Sequence, residues 1–432
     1  MDSVYLRTGT ALAAVVMFFC GVVSAGAQDR FEAPPINYSG ATPDNPVARL
    51  REAVHADPGK LVREDRFGYL RSVLSLLNVP VESQVLVFSK TSLQQRHIAP
   101  STPRALYFND DVYVGTMPEG DVLEISVADP ALGTVFYTLT QHPDENADFI
   151  RQVDNCLQCH GSTLTGGIPG HVMRSVYADA AGYPILSAGS YITTQNSLFT
   201  ERWGGWYVTG SGGGPRHMGN LTSEAAQFDP GADREAVQTP LLLAQRVDPA
   251  RYLSPQSDIV ALLILAHQTQ AHNLMTQANF ETQYALRDQE VLDKMLNTPE
   301  GPLSDSTRRR IDSAVNKLAD YLLFAGEPRL ESPIVPSNEF AKVFAAAGPR
   351  DVKGRSLRDL DLQTRLFKYP LSYLIYSAQF DGLPAAAKAA VYQRLWDLLA
   401  DTNNASPYDL ATRQAIRQIV LETKSGLPAY WQ

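Results

Sequence analysis

The stretch "DNCLQCHGS", residues 154–162, places two thiols and an imidazole within five positions: Cys156, Cys159 and His160. On a helical turn, side chains three apart share a face, and the following residue projects beside them. Two thiols so placed can add to the two vinyl groups of one porphyrin while the imidazole reaches the iron from the same side. Cys-x-x-Cys-His is the spacing of haem c attachment. Other chemistries compete for the same residues. A zinc ion takes about four ligands; there is no second cysteine pair, and His171 or His217 would complete a set only at a spacing foreign to common zinc modules. A dithiol switch opens a helix in a thioredoxin-like βαβ unit, and that pattern does not surround Cys156. The expectation is one haem c, covalently attached through Cys156 and Cys159, with His160 as the proximal iron ligand.

The opposite side of the iron has several candidates. Met218, in the Gly-flanked loop "GPRHMGN", is the favoured distal ligand, because a thioether raises the potential as in electron-carrier cytochromes. His217 beside it, or His171, would give bis-histidine ligation and a lower potential. Met173 is a further candidate, and an open iron position is the remaining alternative. Trp203, Trp206 and Tyr207 suit packing against a porphyrin as well as a plain core strand. Arg174, Arg202 and Arg216 could pair with propionates through charge-assisted hydrogen bonds. His267 and His272 lie five apart, about 140° around a helix, so they read as solvated or core histidines rather than a metal pair. Asp110 and Asp111 read as turn residues that bond their own backbone. No Ser–His–Asp arrangement, phosphate loop or nucleotide fingerprint stands out.

The elements that must position this motif change character along the chain. Asn45–Pro46 marks a helix start, and Leu70, Val73, Leu74 and Leu77 give a second helix over 64–78. From Gln84 to about 141 the segments are short and β-branched. Leu123, Ile125 and Val127 alternate with Glu124 and Ser126, and Pro118–Asp121 reads as a hairpin turn, so a small antiparallel sheet is expected there. Residues 150–225 are Gly-rich loops, which a wrapped cofactor would organise. After Pro255 the pattern is helical. A long helix capped by Ser257 or Asp258 runs to about Asn297, and another spans 306–325. Further helices are expected near 337–347, 384–400 and 407–424, the last capped by Ser406 with Pro407 at its first position. The predicted class is α+β: a small antiparallel β-sheet region, a loop-rich haem c region, and a mainly helical C-terminal half. The divisions are 1–27, 28–145, 146–250 and 251–432.

Residues 1–27 read as a signal peptide: Arg7, the apolar run to Ala25, and "AGA" as a cleavage pattern ending at Ala27. The alternative is a membrane anchor over residues 8–25, so a membrane association follows only if the segment is not cleaved. Cys20, after bulky Phe19, does not fit a lipidation site. Removal of the segment leaves Cys156 and Cys159 as the only two of three cysteines, so there is no disulfide framework and the pair serves local chemistry. The composition of the full 432-residue chain, 44% hydrophobic and 19% charged with a net charge of −9, is that of a globular protein and argues against a nucleic-acid partner.

The chain resembles a family of large exported bacterial proteins described as cytochrome c domain-containing, each with a single haem c attachment site. The stretches that carry the likeness are "QVLVFSKTS", "PRALYFNDDVYVG", "DNCLQCH", "PGHVMRSV", "ERWGGWYVTG", "RHMGN", "SDIVALLILAHQTQAHN" and "YPLSYLIYSAQF". The resemblance implies haem binding, iron and electron transfer, with Cys156 and Cys159 as attachments and His160 as axial ligand. The expected function is therefore a periplasmic monohaem c-type cytochrome that passes single electrons to a redox partner protein. The alternatives are a haem c enzyme with an open iron site, such as a peroxidase or small-molecule oxidoreductase, and a haem-based sensor.

Overall fold

The alternation in 122–129 is that of a strand whose two faces meet different surroundings, and a seven-stranded antiparallel sheet forms around it. The computed structural model describes residues 30–212, 216–222, 242–299, 301–400 and 406–431. The expected signal segment, with the run 8–25, Cys20 and the cleavage position Ala27, lies outside the described residues. Strands β1 (Val85–Val87), β2 (Arg104–Phe108), β3 (Val112–Thr116), β4 (Val122–Asp129), β5 (Gly133–Thr140) and β6 (Phe149–Gln152) pair with their chain neighbours. A separate two-stranded ribbon joins β7 (Arg174–Val176) to β8 (Ser190–Ile192), and β9 (Trp206–Tyr207) returns to the large sheet beside β1. The sheet thus draws β6 and β9 from beyond residue 145, so it is larger than the one expected over 84–141.

Each face of the sheet has its own core. Leu86, Ala105, Tyr107, Val114, Leu123, Ile125 and Val127 share a cluster with Val47, Leu50, Leu70, Val73 and Leu74 of helices α1 (Pro46–Ala56) and α2 (Leu70–Leu76). Val85, Val87, Phe108 and Tyr113, on the other face, join the core of the C-terminal helices. Asn45 Oδ1 caps α1 by accepting from Ala48 N, with Pro46 in the first turn, as expected. Helix α2 is shorter than predicted because residues 64–68 close a small loop through paired Glu64 and Gly68 backbones.

The motif supplies the single turn α3 (Leu157–His160). Helix α4 (Ile259–Leu296) follows the loops, 38 residues long, between an Asp258 cap and a left-handed Asn297. Its first half is buried nearly all round because it packs against both β5 and helix α5 (Asp305–Leu322). Helices α6 (Phe340–Ala346), α7 (Ala378–Asp381), α8 (Ala385–Ala400) and α9 (Leu410–Thr423) complete the α+β architecture. Helix α9 departs from expectation at its start. Asp409, not Ser406, accepts from Thr412 N, and Pro407 precedes the helix. Among the described residues no helix is long and apolar enough to cross a membrane.

Candidate cofactor site

Buried Leu157 roots α3 in the first core, and the turn is closed by His160 N donating to Cys156 O at 2.9 Å. Cys156 is half-buried, Cys159 is exposed, and both are free thiols. Burial, with the Glu124 carboxylate nearby, pushes the Cys156 thiol up to about 11. A redox or nucleophilic cysteine needs the opposite shift, so this environment disfavours the dithiol-switch chemistry. His160 Nδ1 donates to the carbonyl of Gly170 at 2.9 Å. A carbonyl only accepts, so the proton sits on Nδ1 and the Nε2 lone pair is left for a ligand bond. Burial lowers the His160 pKa and favours that neutral form.

The loop after α3 folds back on the same residue. Gly170 N donates to His160 O at 2.8 Å, so one glycine holds the histidine by main chain and ring. The next residue, His171, is held by helix α4: its N–H donates to Asn273 Oδ1, and Asn273 Nδ2 donates back to its carbonyl, both at 2.8 Å. A Cβ at position 170 would lie 2.5 Å from Asn273 Oδ1, which is why glycine is needed there. The His171 ring rests on Tyr113, centroids 4.3 Å apart, with Nδ1 3.5 Å from Ser126 Oγ. Its Nε2 is buried and has no hydrogen-bond partner among the described residues. Burial, then the nearby His272 and His160, hold its pKa well below that of a free imidazole.

Between these loops and the sheet lies a cavity of about 610 Å³, lined by Cys156, Cys159, His160, His171 and Met173 and by one face of β2–β5. That volume falls in the roughly 300–1,000 Å³ range of small-molecule and cofactor sites. The sheet contributes Arg104 and Leu106, Tyr113 and Gly115, Glu124 and Ser126, and Phe136 and Thr138, two apart along each strand. The polar half of the β4 alternation thus faces this cavity. Arg104 crosses β3 to reach Glu124 at 2.6 Å, and only a glycine at 115 permits it, since a Cβ there would sit 2.2 Å from the guanidinium.

Of the residues singled out in the sequence, Cys156, Cys159, His160, His171, Met173, Arg174 and Trp206 meet at the cavity. Met218 does not line it. The residue is fully buried in a separate small cluster with Tyr177 and Ile185, where its sulfur accepts from Ser175 Oγ at 3.6 Å. Its loop turns toward β7, so the structure does not bring Met218 together with Cys156, Cys159 and His160. His217 packs edge-on against Trp203 at 5.0 Å, and its Nδ1 accepts from Gly219 N. Trp203, Tyr207 and Arg216 are likewise away from the wall. The Arg202 guanidinium is consumed by the carbonyls of Gln195 and Ser197.

His267 and His272 are core residues, as one of their two readings had it. His267 bonds Gln195 Oε1 and Ser372 Oγ, and His272 bonds Gln379 Oε1 and Asp110 O. The 109–112 turn is closed by Asn109 Oδ1, not by the aspartates, while Asp110 pairs with Arg358. Arg104, Glu124 and Asn273 had not stood out in the sequence. The one available signal was a Glu–x–Ser alternation on a strand whose opposite residues are all apolar. Among the described residues no group of three or more His, Cys, Asp and Glu side chains is placed to hold a metal ion by itself. Comparison of the chain with protein-family models, with curated proteins and with solved structures found no match.

Proposed function

We propose that this chain is a monohaem c-type cytochrome that passes electrons singly to and from a redox partner protein. Cys156 and Cys159 would hold the group through thioether bonds, and His160 Nε2 would ligate its iron. The observation that supports this most is the state of His160: a half-buried imidazole tied at Nδ1 to Gly170 O, beside two free thiols on one turn, at the edge of a 610 Å³ cavity. When bound, the group would supply one-electron iron chemistry, tuned by its axial ligands and by burial.

The chain's own residues have defined tasks around it. The Gly170 carbonyl fixes the tautomer and ring orientation of His160, as outer partners of metal-bound histidines do. Leu106, Phe136 and Trp206 give the cavity part of its apolar lining. Arg174, whose Nε is held by Ser190 Oγ at 3.0 Å, is one cation at the wall that could meet a carboxylate. Export to the periplasm, read from residues 1–27, belongs to this proposal, because the attachment is made outside the cytoplasm.

Full-length protein produced with a haem c maturation system tests the reading by intact mass and haem staining after denaturation. The wild type is expected to carry one haem per chain, and a Cys156→Ala/Cys159→Ala double variant to carry none. Staining that persists in the double variant, or a wild type without covalent haem, overturns it.

A further inference from the structure

We infer that His171, which lines the same cavity as His160, supplies the second axial ligand through Nε2, which would make the centre bis-imidazole. This rests on the haem c reading above and deepens it. The first support is an unmet requirement. His171 is 5% exposed, and its Nε2 is a buried nitrogen without a partner among the described residues. An unsatisfied buried polar atom is destabilising, and native cores rarely keep one without a reason.

The second support is register. Tyr113, Ser126 and Phe136 are direct cross-strand partners on β3, β4 and β5, so they form one row on the cavity face. His171 rests on Tyr113 at one end of that row, and His160 rests on Phe136 at the other, ring centroids 4.9 Å apart. Two strand spacings separate the platforms, about 10 Å, with only the small Ser126 between them. The two imidazoles therefore stand apart over a shared floor and line the same cavity, as ligands on opposite sides of one iron must.

The third is rigidity. Gly170 O orients the first ring, and the Asn273 amide clamps the main chain of the second residue, at two consecutive loop positions. Met173 also lines the cavity, but a buried thioether has no unmet hydrogen bond to satisfy. Met218 lies in its own cluster. A bis-imidazole iron is six-coordinate and has a lower potential than a His–Met centre. It leaves no open position for a peroxide or other small substrate, which sets the carrier apart from the haem-enzyme alternative.

The test uses the holoprotein, with covalent haem first confirmed by mass so that a failed attachment is told apart from a failed ligand assignment. The oxidised wild type is expected to give a low-spin spectrum without a sulfur-to-iron charge-transfer band. His171→Ala is expected to become high-spin and, when reduced, to bind carbon monoxide, while Met218→Ala keeps the wild-type spectrum. If His171→Ala does not accumulate, His171→Met serves instead: it should stay low-spin, acquire the sulfur band and rise in potential. A low-spin spectrum unchanged in His171→Ala overturns the proposal, as does a sulfur band in the wild type that is lost in Met218→Ala or Met173→Ala. A wild type that is already high-spin and binds carbon monoxide overturns it too.

Discussion

Two pairs of histidines, one in the helical core and one at the cavity, differ in their hydrogen bonds. His267 and His272, on α4, have both ring nitrogens engaged, by Gln195 and Ser372 in one case and by Gln379 and Asp110 in the other. At the cavity only Nδ1 of His160 is bonded among the described residues, and His171 has one long contact and one orphan nitrogen. Burial does not separate His171 from the core pair. What separates them is completeness: a ring that crosslinks the core is saturated, whereas a ring that serves a ligand keeps one lone pair in reserve. The proposal assigns the two unsaturated rings to the iron and the two saturated ones to stability.

That division is broken most forcefully at His267. The ring is fully buried, stacked 4.5 Å from Phe324, and ties α4 to the loop before β9 and to Ser372. His267→Ala empties an aromatic-sized core site and orphans Gln195 Oε1. The expected loss is roughly 3–5 kcal/mol of unfolding free energy, measured by chemical denaturation of the holoprotein. The optical and EPR spectra of the folded fraction should not change. A shift in spin state would show that the two pairs are not functionally distinct.

Asn273 joins the two sets, because it sits one residue after His272 and grips the main chain of His171. Asn273→Ala leaves a buried N–H and C=O without partners and should cost about 1–3 kcal/mol. Unlike the His267 variant, it should also show in the spectrum, as a high-spin fraction that grows with temperature once His171 is less firmly placed. A pure stability loss with a wild-type spectrum at all temperatures would mean that the clamp is structural only.

The sequence was most informative where a signal is local. The Asn45 and Asp258 caps, the end of α4 at Asn297 and the alternation of β4 are each decided within a few residues, and they are where expected. Helix α9 shows the limit of that logic, since Ser406 and Asp409 were both capable of capping and the carboxylate took the role. Strand β9 matches one of the two readings of Trp206 and Tyr207, but its pairing with Leu86 and Val87 is set by register and not by a local period. The site divides the same way. Cys156, Cys159 and His160 are legible from spacing. The Arg104–Glu124 pair and the Asn273 clamp depend on strand register and on a helix about a hundred residues downstream. Met218 drew attention through its glycine-flanked loop, but loop composition does not say which cavity a side chain enters.

The smallest effect, and the most diagnostic of saturation, is the response to acid. Burial pushes the His267 imidazole down to about 3, whereas in the unfolded chain it titrates near 6.5. Between those values the unfolded state binds a proton that the folded state refuses, so stability rises with pH across that window and falls as the solution is acidified. One such group contributes a slope of at most about 1.4 kcal/mol per pH unit. His267→Gln, which keeps polar atoms for Gln195 and Ser372 but cannot titrate, is expected to flatten the stability profile between pH 4 and 6 by about one proton. Denaturation midpoints and slopes at a series of pH values measure this directly. An unchanged slope would mean that His267 is not held neutral in the folded protein, and that its two hydrogen bonds are those of a charged ring rather than of a saturated, uncharged crosslink.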